Sequence, residues 1–194
     1  MIIKKVCVYC ASSSKVAKEH IKATEILGKE FALNGITTIY GGGSVGSMGA
    51  LANAVIKNKG KIIGIIPKFM VELEWGNKNI TELIVVNSIA ERKMKFIEEV
   101  DAVVALPGGT GTLEELAEII SMKKLGLFSK PIIILNTNGF YKHFLLFIEQ
   151  MISDSFIRPE HKQLFIVATS PEEIIEKIKS APTWSTEPIK LAAY

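Results

Sequence analysis

The residues that decide the fold are Asp101 to Ile120, DAVVALPGGTGTLEELAEII. An apolar, β-branched run stops at Pro107, and Gly108, Gly109, Thr110, Gly111 and Thr112 then lead into a helical pattern. Strand, glycine-rich turn and amphipathic helix together make the repeating unit of an α/β fold. Glycines let the backbone come close to a ligand, and a helix N-terminus offers unpaired N–H groups and positive potential, so this loop suits an anion. Glu114 and Glu115 follow directly behind it. Two negative charges behind an anion cradle need their own explanation.

The same unit recurs on both sides of this stretch. KKVCVYCAS, ITTIY (36–40), KIIGIIP, LIVVN (83–87), KPIIILN and LFIVAT read as further strands. Helical patterns cover 15–34, the segment behind GGGSVGSMG, 89–99, 112–125, 140–152 and SPEEIIEKIKS, with Asn34-Gly35 as a C-cap and Ser170-Pro171 as an N-cap with proline at the first position. Strands this apolar, separated by helices, predict a parallel sheet covered on both faces. The expectation is a doubly wound, Rossmann-like α/β fold. The chain is expected to form one α/β domain over 1–180 with an unassigned tail over 181–194. Such sheets take ligands at the C-terminal ends of their strands, where strand order reverses.

Composition narrows the function. The 194 residues are 48% hydrophobic and 22% charged, with a net charge of +3. Lysine and glutamate are interspersed, with no basic block to mark a nucleic-acid or membrane surface. No apolar run approaches the roughly 20 residues of a membrane span. The start, MIIKKVCVYCA, lacks the longer apolar region and cleavage site of a signal peptide, so a cytoplasmic protein is expected. Cys7 and Cys10 have redox spacing, but an odd separation within a strand points them to opposite faces, which favours buried structural thiols over a redox or metal role. Among the 23 Lys and Arg residues only Arg92 and Arg158 are arginine, and arginine offers a planar fork of donors that lysine cannot copy.

Three loops share the anion-suited design. In YGGGSVGSMG, Gly41, Gly43 and Gly46 satisfy G-x-G-x-x-G, but the next strand ends in Pro67-Lys68 where a dinucleotide site wants an acidic residue, which argues against NAD. The loop 108–112 is followed by no lysine in the Walker position. The first strand leads into Ser12, Ser13 and Ser14. Any one of these could be a helix cap. Three at the C-terminal edge of one sheet would converge on a crevice suited to a mononucleotide phosphate.

Helical spacing separates the glutamates. Leu113, Leu116, Ala117 and Ile120 form the expected stripe against the sheet, with Glu114 and Glu118 solvated beside it. Glu115 aligns with Ile119 and Met122, a second apolar strip that predicts a subunit interface. On the helix SIAERKMKFIEEV, Arg92 shares the expected inner stripe of Ile89, Phe96, Ile97 and Val100, and Lys93 lies one turn before Ile97. Either the charges snorkel to water, or they meet an anion or Glu115 at the site.

At these residues the chain resembles the LONELY GUY (LOG) family of cytokinin-activating phosphoribohydrolases, over roughly residues 5 to 178. PGGTGTLEE fits the family's P-G-G-x-G-T-x-x-E with Glu115 at its last position, Arg92-Lys93 fits the end of M-H-x-R-K, and YGGGSVGSMGALANA fits Y-G-G-G-x-x-G-x-M-G. Ile89-Ala90 stand where the family usually has Met-His. The resemblance implies hydrolysis of the N-glycosidic bond of a nucleoside 5′-monophosphate, AMP or an N6-substituted AMP such as a cytokinin riboside 5′-monophosphate. It implies Glu115 and Arg92 as catalytic residues. Substrate would be held by Ser13, Gly42, Gly43, Gly46, Met48, Pro67, Lys93, Gly108, Gly109, Thr110, Gly111 and Thr112. It implies a homodimer and no metal or organic cofactor. Arg92 would orient either Glu115 or the ribose hydroxyls. The glutamate then has its explanation: loss of the base leaves an oxocarbenium-like sugar, and a carboxylate stabilises that positive charge. The competing reading is a non-catalytic nucleotide or cofactor carrier of similar fold. A pyridoxal-phosphate decarboxylase fits poorly, since no lysine is marked as a Schiff-base site.

Overall fold

The computed structural model describes residues 2–73 and 76–184. Seven strands, β1 (Lys5–Tyr9), β2 (Thr37–Tyr40), β3 (Ile62–Pro67), β4 (Glu82–Val86), β5 (Ala102–Ala105), β6 (Ile132–Leu135) and β7 (Ile166–Ala168), form one sheet in the order β4-β3-β2-β1-β5-β6-β7. Every pairing is parallel. The chain enters at the centre, steps outward to β4, then crosses to the other side of β1 for β5, β6 and β7. The order therefore reverses between β1 and β5, and the crevice of a doubly wound fold opens there.

The pleat sorts side chains into two cores. Val6 and Val8 of β1 join Leu27 and Phe31 of α1 (Lys18–Leu33), Leu51 and Val55 of α2 (Gly46–Lys57) and Ile178. Cys7 and Tyr9 point the other way, toward Phe96, Leu116, Ile119 and Ile148. Both cysteines are free and buried, Cys7 in one core and Cys10 in the other, as the alternation requires. The remaining helices are α3 (Lys68–Glu72), α4 (Ile89–Ile97), α5 (Thr110–Lys124), α6 (Lys142–Ser153) and α7 (Ile174–Lys179).

Element boundaries differ from the sequence reading in instructive places. α1 starts three residues late, because 12–17 remain loop. α5 starts at Thr110 with Gly109 at its N-cap, so Glu114 and Glu115 occupy its second turn and not its first. The short α3, right after Pro67, carries no apolar period long enough to be read. Gly35, with φ of 67°, closes α1 as expected. Ser170 and Glu173 form a reciprocal capping box ahead of α7, again with Pro171 at the first position. Trp184, in the segment left unassigned, is buried in the second core. Residues 185–194 of that tail lie outside the described residues. No helix among the described residues is long and apolar enough to cross a membrane.

Two helix faces are corrected. On α5 the inward residues are Thr112, Leu116, Ile119 and Lys123, with Leu113 and Ala117 exposed. The stripe was misplaced because three inward members, Thr112, Glu115 and Lys123, are polar, and a search for apolar spacing passes over them. Lys123 remains inside by donating from Nζ to the carbonyl of Lys130 at 3.0 Å, and burial lowers its pKa to about 8. The second apolar strip is thus this chain's own core: Ile119 is 1% exposed and Met122 packs against the same cluster. On α4, Ile89 is exposed, and the buried residues are Arg92 and Phe96.

Candidate active site

The loops that follow β1, β2 and β5 meet at the reversal point and enclose a cavity of about 530 Å³. Their fit depends on backbone packing. Met48 N donates to the Ala11 carbonyl at 3.0 Å, tying the second loop to the first. Gly46 has φ of 61°, and a Cβ there would collide with the Ser13 carbonyl. The N-termini of α2 and α5 both reach the cavity, through Val45 and Met48 and through Gly109, Thr110 and Gly111. This is the arrangement that favours anions.

α4 brings the arginine. Arg92 Nε donates to the Ile65 carbonyl and Nη2 to the Gly41 carbonyl, both at 2.9 Å. A side chain at position 41 would occupy the space of Nη2. The guanidinium carbon lies 4.9 Å from the centre of the Phe96 ring, which itself packs on Tyr9 at 5.8 Å. With two nitrogens fixed to main chain, Nη1 faces Glu115 Oε1 at 3.8 Å. That separation is an ion pair too long for a direct hydrogen bond. Both side chains are nearly buried, at 10% and 14% exposure. Burial raises the Glu115 pKa to about 7, opposed by Arg92. Burial also pulls Arg92 below its ordinary value, with Glu115 opposing. The carboxyl group is therefore poised to change protonation near neutrality.

Of the residues proposed from sequence, Ser13, Gly43, Met48, Gly109, Thr110, Gly111, Thr112, Arg92 and Glu115 line the cavity. Gly42, Gly46, Pro67 and Gly108 are not among the lining residues; Gly42 and Gly46 take positive φ in the second loop, and Pro67 ends β3. Lys93 is the clear misplacement. Its ammonium turns away from the cavity to the outer side of the contact with α5 and binds Glu114 Oε1 at 2.5 Å and Glu118 Oε1 at 3.0 Å. The reason is helical rotation, since the residue next to Arg92 points roughly 100° away from it. Glu114 and Glu118 are partly exposed, as expected, but serve this lysine. The sequence reading left Tyr9, Ile66, Met70 and Phe96 out of the wall. Phe96, four residues after Arg92, could have been found by spacing; Met70 sits on α3 and gave no signal.

Fold and site together define a Rossmann-like α/β protein with a carboxylate–guanidinium pair at the reversal point of its sheet. The model of the family described as "Possible lysine decarboxylase" matches residues 48–178. The probable cytokinin riboside 5′-monophosphate phosphoribohydrolase LOGL2 of rice (Oryza sativa subsp. japonica) is 40% identical over 91% of this chain and 72% of its own length. The cytokinin riboside 5′-monophosphate phosphoribohydrolase LOG1 of Arabidopsis thaliana is 35% identical over 97% of this chain and 93% of its own length. Among solved structures, the molybdenum cofactor binding protein of Rippkaea orientalis superposes with a TM-score of 0.70 at 26% identity, covering 93% of this chain and 98% of that one. The molybdenum cofactor carrier protein of Chlamydomonas reinhardtii, at 21% identity over 92% of this chain and 98% of that one, shares the fold with a TM-score of 0.70. The chain belongs to the family described as possible lysine decarboxylases, the LOG family.

Proposed function

We propose that this protein hydrolyses the N-glycosidic bond of a nucleoside 5′-monophosphate, AMP or an N6-substituted AMP, to free base and ribose 5-phosphate. The observation that carries the reading is Glu115: a nearly buried carboxylate, held 3.8 Å from an arginine locked to main chain, in a cavity entered by two helix N-termini. The phosphorylated end lies against the loop amides. Water attacks the anomeric carbon, the glycosidic electron pair leaves with the base, and the departing base takes up a proton from solvent, which regains one when Glu115 returns to the carboxylate. The Glu115 carboxylate stabilises the positive sugar and accepts the proton from water. Arg92 Nη1 stands close enough to orient Glu115 or a ribose hydroxyl. The chemistry as written calls for no metal or organic cofactor. The phosphoribohydrolases at 35–40% identity support the same reading.

The Rippkaea orientalis likeness favours a second reading, a nucleotide or cofactor carrier without turnover. Incubation with AMP decides between them. Release of adenine and ribose 5-phosphate is the expected result; tight binding of AMP with no free adenine would establish the carrier.

A homodimer in the cytoplasm completes the proposal. The free, buried thiols suit a reducing compartment. With Ile119 and Met122 inside the core, exposed apolar residues near the site that could serve an interface include Leu113 on α5, Ile89 and Met94 on α4, and Val45 at the cavity.

A further inference from the structure

α4 is lightly attached. Of its nine residues only Arg92 and Phe96 are buried. It packs on β3 and β4, whereas α5 packs on β1. Strand β2 lies between these supports, so the gap between the two helices is closed by side chains. Two adjacent residues of α4 meet three glutamates of α5. On the inner side Arg92 faces Glu115; on the outer side Lys93 joins both Glu114 and Glu118. Glu114 and Glu118 are one helical turn apart, so one ammonium held by both is fixed along the helix as well as toward it.

We infer that Lys93 is a positioning residue: its two-carboxylate clamp sets the register of α4 against α5, and through it the approach of Arg92 to Glu115. The inference rests on the reading of Glu115 as the working carboxylate, and it replaces the substrate contact that the sequence resemblance gave to Lys93. An exposed ion pair contributes little to stability. Its geometric effect is larger, because a misplaced catalytic pair loses rate steeply. The clamp also has an electrostatic side. Glu115 is faced by Arg92 and Lys93 from α4, by Glu114 and Glu118 on its own helix, and by Cys7, Tyr9 and Cys10 from β1 and its end. Lys93 counters the two flanking carboxylates that otherwise favour a protonated Glu115.

The experiment measures kcat and KM for AMP across pH in Lys93→Ala, in Lys93→Arg and in the double variant Glu114→Ala/Glu118→Ala. Carboxyl 13C NMR titration of Glu115, assigned by the signal lost in Glu115→Gln, accompanies it. Lys93→Ala is expected to lose about tenfold in kcat with KM nearly unchanged. Its acidic limb and Glu115 midpoint should move up by about half a unit. Lys93→Arg should recover most of the kcat loss. The glutamate double variant opens the clamp from its other end, so kcat should again fall about tenfold, while the acidic limb moves down. Opposite pH shifts with equal rate losses separate register from charge alone. A rise in KM at unchanged kcat in Lys93→Ala, or full kcat in the glutamate double variant, overturns the inference. Wild-type protein that releases no adenine overturns only the hydrolase reading. In that case an unmoved Glu115 midpoint in Lys93→Ala overturns the clamp.

Discussion

The loops at the strand ends and the contact between α4 and α5 build one site by different means. The loops act through main chain: amides at two helix N-termini, and glycines where a side chain would collide. The helix contact acts through five charged side chains whose roles depend on which way each points. Glycine spacing announces the first kind from sequence alone. The second becomes readable only when the helices are placed, as Lys93 demonstrates.

The sharpest break between these regions is at the charged pair. Arg92→Lys keeps charge and stem but cannot bind the Ile65 and Gly41 carbonyls while still presenting a nitrogen to Glu115. Turnover of AMP should fall at least about a hundredfold, and Glu115→Gln similarly. Glu114→Gln should keep most activity, because Glu118 still holds Lys93. Circular dichroism confirms folding, and equal losses at 114 and 115 would erase the distinction between the two faces of α5.

The loops are tested by removing their ligand and not their residues. Adenosine lacks the phosphate that the amides of α2 and α5 would hold, so its kcat/KM should be lower than that of AMP by at least about a hundredfold, the value of one to two charge-assisted hydrogen bonds. Equal hydrolysis of both would leave the cradle without a purpose.

A smaller effect concerns stability. The Glu115 pKa rises from 4.5 to about 7 on folding, so between those values the native state holds more protons than the unfolded chain. Its contribution to stability is therefore greatest below pH 4.5, declines as pH rises through this window, and is flat above it. Glu115→Gln does not titrate. Its Tm should exceed that of the parent by a few degrees at pH 8, and the advantage should shrink toward pH 5; thermal melts at both values check the sign. Activity of the parent should move the opposite way, falling on the acid side of about 7 as the carboxylate is protonated.

The smallest change tests assembly. Leu113→Glu alters an exposed position, so the fold should be unaffected, within about 0.5 kcal/mol. Light scattering should report a dimer for the parent and a greater monomer fraction for the variant. A parent that is monomeric at micromolar concentration would remove the interface.

Sheet, strand order class and loops were legible because each leaves a local mark: β-branched runs, glycines, a proline at the end of a strand. Arg92 and Glu115 were legible from their rarity and their motif. The faces of α4 and α5 were not. Apolar periodicity marks a buried stripe only while buried residues are apolar, and here Thr112, Glu115, Lys123 and Arg92 are inside. What holds Arg92 inside is out of reach of any spacing rule: it uses carbonyls 27 and 51 residues back.

The way Arg92 is anchored has a consequence for heredity. Its two acceptors are carbonyl oxygens, which every residue type supplies, so no codon change at Ile65 can delete its half of the anchor. At position 41 the constraint is steric, and glycine alone leaves room for the guanidinium. The lock therefore offers few targets to mutation: the arginine itself and one glycine. A lineage that drifts freely elsewhere around this cavity, changing its apolar wall to suit a different base, can keep the arginine in place without any compensating second change.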